Sequence, residues 1–445
     1  MMTILPFLIS GLLGCLILKN MAWTIFRRTS VLFLSLSLGL GLAVSAYVAF
    51  SSFLIFDQLN TAFVLWTHTV LSAAFMLLTF RRWNRRGRHL RIQFSRESLL
   101  KAGLFSLLGL VIWSGARTMP HGGWDAWQVW NFKARFLLLA DQGQWHNMFL
   151  PELWRNSPHY PLLLPLINVW VWIFAGAQNL TAPLSTAITL TLMVGGLTFG
   201  TVRMWTKNLP AAVLTVLLIF SSFHYLRLSF NQYCEVVVSF YLLAGLACAI
   251  LAQRKNKAGM NVLAGIFLGI LPFSKPEGLV AAGLALLIIP WICRPRQTSL
   301  IKNTVILWAA ALAAAVPSII FILWLSPGNQ TMINGLLSAG HPSTWLRLKI
   351  ILAFFGMEII HPKWTGLWLL FILGVLFSGL NGLRRPLSAF GLFLLGYLSI
   401  IILYYWINTY FEIYWWLGVS LSRILSSLLP LMATWSVCSL FSPKK

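Results

Sequence analysis

Only nine of the chain's 445 residues are acidic, so each acid is a candidate for chemistry. Asp125 lies in MPHGGWDAWQVWNFKARFLL, Glu235 follows NQYC, Glu277 stands in FSKPEG two residues after Lys275, and Glu412 lies in TYFEIYWW. Arg423 is a cation in the apolar run SLSRILSSLLP, while His159 and Tyr160 belong to NSPHYPLLLP. Two or more carboxylates beside Lys and Arg form a set suited to moving a group from a lipid phosphate to a hydroxyl. One carboxylate removes the acceptor proton. Lys275 and Arg423 stabilise negative charge growing on the departing phosphate oxygen, and carboxylates favour the partial positive charge of an oxocarbenium-like sugar. Trp124 and Trp127 can stack on a sugar ring or a prenyl chain. His159 and Tyr160 could bind phosphate or acceptor, with Lys133 a further polar contact on the same loop as Asp125.

Each of these residues also has a structural role open to it. Asp125 can cap an interfacial helix, Glu235 can start one, and Lys275 with Glu277 can hold a turn by a local ion pair. Arg423 can snorkel, Trp124 can anchor at the membrane surface, and His159 with Tyr160 can rim a proline-kinked turn. What favours the chemical reading is their combination, because separate helix starts on one face of a bundle can converge where a lipid head group would sit. A divalent metal is possible but not required: Asp125, Glu235 and His159 could supply ligands, yet no HExxH-like spacing occurs, and His121 and His146 add no pattern.

The elements that must position these groups follow from composition. With 58% hydrophobic residues and 9% charged ones, against about 25% in soluble domains, the chain reads as an all-α polytopic membrane protein. The 33 Lys plus Arg give a net charge of +24, but no water-facing domain presents them to nucleic acid, and no nucleic-acid partner is expected. The five cysteines lack a CxxC spacing, so neither a disulfide framework nor a zinc site is indicated. The first apolar stretch lacks a basic leader and reads as a retained span.

Basic loops stay on the cytoplasmic side. Residues 81 to 98 hold seven arginines and one acid, Glu97, which places that loop inside. Counting outward gives spans near 4–18, 31–55, 62–80 and 99–116, with 117–160 the first outward loop. Keeping the later basic pairs inside requires that 161–177 and 345–362 form interfacial helices. The first has Trp170 and Trp172 near its end; the second carries Arg347, Lys349 and Glu358. The remaining spans, near 180–202, 210–226, 235–252, 260–273, 279–292, 304–324, 365–380, 387–407 and 421–440, bring the total to thirteen. Residues 1–98 then form three leading helices and a basic loop. The region 99–445 carries the motifs, with 326–363 a second outward loop. On this topology Glu97 alone among the acids is inside. The other eight share the outer face with the proposed chemistry.

These motifs resemble the polytopic glycosyltransferases of the GT-C fold, in particular bacterial relatives of protein mannosyltransferases and lipid A aminoarabinose transferases. The resemblance covers about residues 99–430. GGWDAWQVWNFKARFLL is similar to the family's first outward loop, which implies that Asp125 is the catalytic carboxylate. SPHYPLLLPL is similar to the His-Pro-x-Tyr-Pro stretch that ends that loop, although Ser157 stands where relatives often have His and His159 where Asp is common. NQYCEVVVSF resembles a Tyr-Ala-Asp segment, giving Glu235 the second acidic position. SKPEGL is similar to a Lys-x-Glu-Gly stretch, and SLSRILSSLLPL to the Arg-bearing start of a late span. The resemblance implies transfer of a monosaccharide from a polyprenyl monophosphate donor to a glycan, lipid or protein acceptor on the extracytoplasmic side of the cell membrane. Relatives with monophosphate donors often need no metal. The main rival is a transporter or flippase for a lipid-linked saccharide, which should carry polar residues through the mid-depth of several spans. A membrane scaffold would leave the charges dispensable.

Overall fold

The computed structural model describes residues 2–22, 30–84, 96–176, 179–255, 258–293, 299–337, 344–378 and 384–441. Most of the basic loop that set the expected orientation (85–95), Arg27 with Arg28, and Lys444 with Lys445 lie outside the described residues. Among those described, all regular elements are helical. They are α1 (Leu5–Ala22), α2 (Ser30–Phe56), α3 (Thr61–Asn84), α4 (Arg96–Arg117), α5 (Asn131–Leu139), α6 (Leu163–Ala175), α7 (Thr181–Thr206), α8 (Leu209–Ser221) and α9 (Phe223–Phe230). They continue with α10 (Glu235–Lys255), α11 (Ala258–Ile270), α12 (Pro276–Ile292), α13 (Leu300–Ile320), α14 (Gln330–Leu337), α15 (Trp345–Ile360), α16 (Leu367–Ser378), α17 (Ser388–Ile407) and α18 (Ile413–Leu440). Apolar runs of this length become helices because a segment in hydrocarbon must satisfy its own backbone.

Among the described residues, eight helices are long and apolar enough to cross a membrane: α2, α3, α4, α7, α10, α13 with its π-helical continuation, α17 and α18. The bent pair α8 and α9 passes the same test jointly. Shorter apolar helices are α1, α6, α11, α12 and α16. The described residues thus form an all-helical structure, with apolar helices suited to a lipid bilayer.

It divides into two compact units, residues 1–156 with 162–197 and 229–236, and residues 157–161 with 198–228 and 237–445. In the first, α1 and α2 approach so closely that a Cβ on Gly14 would strike the Ser37 carbonyl and one on Gly41 the Ser10 carbonyl. Small residues matter here because lipid tails remove the hydrophobic drive between helices, leaving packing and polar ties to hold them. Ser10 Oγ and Ser45 Oγ lie 2.8 Å apart, and Ser45 Oγ lies 2.9 Å from His68 Nε2, joining α1, α2 and α3.

Helix α6 departs from the interfacial expectation. Leu163 to Trp172 are all buried, Trp170 stacks on His68 with centroids 4.7 Å apart, and its Nε1 donates to the Pro6 carbonyl. A helix lying on a lipid surface keeps one face outward, whereas α6 is wrapped by α1, α2 and α5. The tryptophans that suggested an interface are core residues.

In the second unit the expected straight span at 210–226 is broken at Ser222 by a 70° bend. The bend is pinned by the 361–366 turn: Ser222 Oγ donates to the Lys363 carbonyl (3.0 Å), and Ser221 Oγ pairs with Thr365 Oγ1 (3.0 Å). Helix α15 exposes Trp345, Leu346, Leu352 and Met357 and buries Ile351 and Phe355, a one-sided pattern. Its Arg347 donates to the Tyr405 and Asn408 carbonyls (2.9 and 2.7 Å), satisfying acceptors at the end of α17. Near the other end, Glu358 accepts from Lys363 Nζ (2.7 Å), Trp364 Nε1 (3.2 Å) and Ser422 Oγ (3.4 Å), tying α15 to α18.

Helix α18 starts at Ile413, eight residues before the expected boundary, because Glu412 caps it. The Glu412 carboxylate accepts from the Tyr414 and Trp415 amides (2.9 and 2.7 Å). Those amides hold its carboxyl below the ordinary carboxylate range. A lowered folded value means the cap's stabilisation is present above the unfolded value and is lost as pH falls through the folded one. Melting of the full chain from pH 6 down to pH 3 is therefore expected to show a shallower acid loss in Glu412→Gln than in the wild type, and equal slopes would remove this role.

Candidate functional site

In the first unit, two separated segments meet ahead of α5 and α10. The Gly123 amide donates to the Asn231 carbonyl at 3.0 Å, so Asp125 and Glu235 are carried two and four residues from one joint. Gly122 is required there. It has φ +72°, and a Cβ would fall 2.7 Å from the Asn231 carbonyl oxygen and 2.6 Å from Ala126 Cβ. Glu235 opens α10 and is 1% exposed, while Asp125 is half-buried at the N-cap of a π-helical turn (Ala126–Trp130) that leads into α5. The Asp125 side chain makes no capping hydrogen bond, so the capping role that composition allowed is not what it does. Trp124 and Trp127 are exposed and meet edge to face, 4.7 Å between centroids.

Lys133 lies on the inner face of α5. Ala126, Val129, Trp130, Lys133, Ala134 and Leu137 form one buried stripe at helical spacing, and Lys133 is fully buried within it. Burial pushes its ammonium well below the ordinary lysine value. Lys133, expected as a polar contact on the loop of Asp125, is thus placed inside by a stripe that includes Ala126, Val129 and Ala134.

The turn between α2 and α3 holds the rest of this loop. Asp57, at φ +55°, accepts from Trp145 Nε1 at 2.8 Å and lies 3.1 Å from His146 Nε2, and its carbonyl accepts from the Gly143 amide at 3.0 Å. Nothing in the sequence reading assigned Asp57, since an acid at a short turn has no distinguishing pattern. Asp57→Ala is expected to destabilise this unit by about 1 kcal/mol, discounted for the half-exposed carboxylate. Faster proteolysis within 141–149 is the measurement, and unchanged cleavage would rule out the tether.

In the second unit, two stretches more than a hundred residues apart come together. Tyr160 presents its ring 5.9 Å from Lys275 Nζ, and His159 meets Tyr160 edge to face at 4.8 Å. Lys275 Nζ lies 3.2 Å from Glu277 Oε1, and Tyr397 Oη donates to the Glu277 carbonyl at 3.5 Å. Local geometry explains the order. Lys275 occupies the N-cap of α12 in an extended conformation, Pro276 begins the helix where its missing N–H is harmless, and Glu277 sits in the first turn, where a carboxylate is favoured. Lys275 is 5% exposed and so is a desolvated cation beside one carboxylate and one aromatic face.

Arg423 is half-buried on α18, ten residues past Ile413 and roughly 15 Å along the axis at the usual rise. It therefore lies deeper in its helix than the expected boundary at 421 placed it. Its neighbour Ser422 accepts from Lys363 Nζ at 3.1 Å in the Glu358 cluster.

The structure thus groups Trp124, Asp125 and Glu235 on joined segments of one unit, and His159, Tyr160, Lys275 and Glu277 in contact within the other. Among the described residues, no group of three or more His, Cys, Asp or Glu side chains is placed to hold a metal ion. No known family model, curated protein or solved structure matches the chain.

Proposed function

We propose that the chain is a multi-pass glycosyltransferase of GT-C type in the cell membrane. It would move a hexosyl or pentosyl group from a polyprenyl monophosphate to a glycan, lipid or protein acceptor on the extracytoplasmic side. In this reading thirteen crossings consist of the eight long helices, the bent α8 and α9 pair, and α1, α11, α12 and α16. Residues 99–445 form the catalytic region, with 326–363 a second outward loop, and the three leading helices support it through Asp57. Asp125 takes the acceptor proton and Glu235 stabilises positive charge on the sugar. Lys275 and Arg423 bind the donor phosphate, with Glu277, His159, Tyr160 and Trp124 in contact with substrate, while Lys133, buried inside α5, drops out of that set. A transporter or flippase for a lipid-linked saccharide is the competing class.

The observation that carries the reading is the contact of Tyr160 and the Lys275–Glu277 pair at the start of α12. A buried ammonium beside an aromatic ring suits a phosphate head group that arrives with its sugar, because a desolvated cation interacts strongly with a charge-bearing leaving group. Purification with native lipid followed by mass spectrometry of bound lipid tests it. A polyprenyl monophosphate sugar is the expected finding, and a diphosphate-linked oligosaccharide in its place would favour a ligase or flippase.

A further inference from the structure

Three carboxamides in the first unit form a one-way chain. Gln232 Nε2 donates to the Pro120 carbonyl (3.2 Å), Asn131 Nδ2 donates to Gln232 Oε1 (3.1 Å), and Asn168 Nδ2 donates to Asn131 Oδ1 (2.8 Å). A backbone carbonyl only accepts, so Pro120 dictates which end of Gln232 faces it. That choice sets Asn131, and Asn131 sets Asn168. The far end of the chain is therefore an acceptor, Asn168 Oδ1, whatever the initial assignment of amide nitrogen and oxygen. Each amide polarises the next, which strengthens the terminal acceptor.

Asn168 is 2% exposed, and its Oδ1 has no hydrogen-bond partner among the described residues. It lines a small cleft, with room for about one water-sized group, together with Leu164, Pro183, Ala187, Tyr233 and Val236. Both polar side-chain atoms of Gln232, also in the lining, are already engaged in the chain. The cleft that Asn168 lines suits one hydroxyl-sized group and not a prenyl chain. Tyr233 and Val236 flank Glu235 in sequence, so a group seated here is delivered to the segment that carries the second acid.

We propose that this cleft is a hydroxyl-recognition subsite, in which Asn168 Oδ1 accepts a hydrogen bond from one hydroxyl of a sugar-bearing substrate. Asn168 is then a specificity-determining residue. The sugar class rests on the glycosyltransferase reading, whereas the requirement for a neutral hydrogen-bond donor rests on the amide chain alone. The hydroxyl could belong to the donor sugar or to the acceptor, and two probe sets separate these sources.

The test uses the full chain in phosphatidylethanolamine and phosphatidylglycerol nanodiscs. Dissociation constants are measured for farnesyl phosphoglucose and for decyl glucoside, each with its monodeoxy and monofluoro forms. Fluorine cannot donate, so for one position both analogues should bind about 10–100-fold more weakly than the parent. Selectivity in the farnesyl set assigns the hydroxyl to the donor, and selectivity in the decyl set alone assigns it to the acceptor. Asn168→Leu should weaken the parent by the same factor and abolish that selectivity. Ala187→Leu, which fills the cleft from α7 and leaves the three amides unsubstituted, should do the same and controls for misfolding of the first variant.

The subsite is overturned if Asn168→Leu keeps both affinity and selectivity, or if Ala187→Leu keeps both while Asn168→Leu loses them, which is a purely structural role. It is equally overturned if no wild-type analogue in either set is discriminated, which leaves a structural water as the only occupant. Failure of the glycosyltransferase reading shows separately, as loss of farnesyl phosphoglucose binding with retained selectivity among decyl glucosides.

Discussion

Asp125→Asn is expected to lower the rate of sugar transfer by about 10²–10⁴-fold while membrane expression and thermal stability persist, and Glu235→Gln is expected to do the same. Asp125 stands at an N-cap but makes no capping bond, so its replacement forfeits none of the roughly 0.5–2 kcal/mol that a working cap contributes. Asn preserves size and hydrogen-bonding capacity and removes only the charge and basicity. Glu235 is nearly fully buried at the first turn of α10, so Gln is the replacement of choice there: it keeps the volume and removes the ionisable group. Transfer from a short-chain prenyl phosphate sugar, scored beside detergent-solubilised melting, provides the readout. Full activity in both variants would sink the glycosyltransferase assignment.

Lys275→Ala should reduce kcat/KM for the lipid-phosphate donor by about 10²–10³-fold, with Lys275→Arg in between. A local ion pair that merely holds a turn makes a different forecast. In that case Lys275→Ala and Glu277→Ala lower stability alike, and the exchanged pair Lys275→Glu with Glu277→Lys restores both stability and activity. A phosphate-binding role predicts that the exchanged chain folds but stays inactive, because the cation has moved from the desolvated N-cap, 5.9 Å from the Tyr160 ring, to a more exposed first-turn position. A rise in donor KM at unchanged kcat would mean that Lys275 binds the ground state and the transition state equally.

Much of this organisation was legible in the residues. Runs of about 20 apolar residues become helices because a helix satisfies the backbone within one segment, and among the described residues the expected runs are mainly helical, with a break at Ser222. The break at Ser222 was not legible, since it depends on Ser221 and Ser222 finding partners in the 361–366 turn, 144 and 141 residues away. The interior location of α6 was misread because Trp is at home both at a membrane surface and in a core; only its neighbours decide, here His68 and the Pro6 carbonyl. Asn168 offered one faint signal, a lone amide in the apolar run LLLPLINVWVW, but its meaning depends on Asn131 and Gln232.

By itself, then, the sequence determined what depends on neighbours along the chain: the helices, and the local pairing of Lys275 with Glu277 around a helix-starting proline. Tertiary structure decided what depends on neighbours in space. It withdrew Asp125 from the capping role, buried Lys133, brought Tyr160 to Lys275, attached the 143–146 segment to Asp57, and placed the amide-chain residue Asn168 in the lining of a cleft. The physical reason is range. Backbone satisfaction and helical periodicity act over a few residues, whereas desolvation and hydrogen-bond partnership belong to segments that only the packed fold brings together.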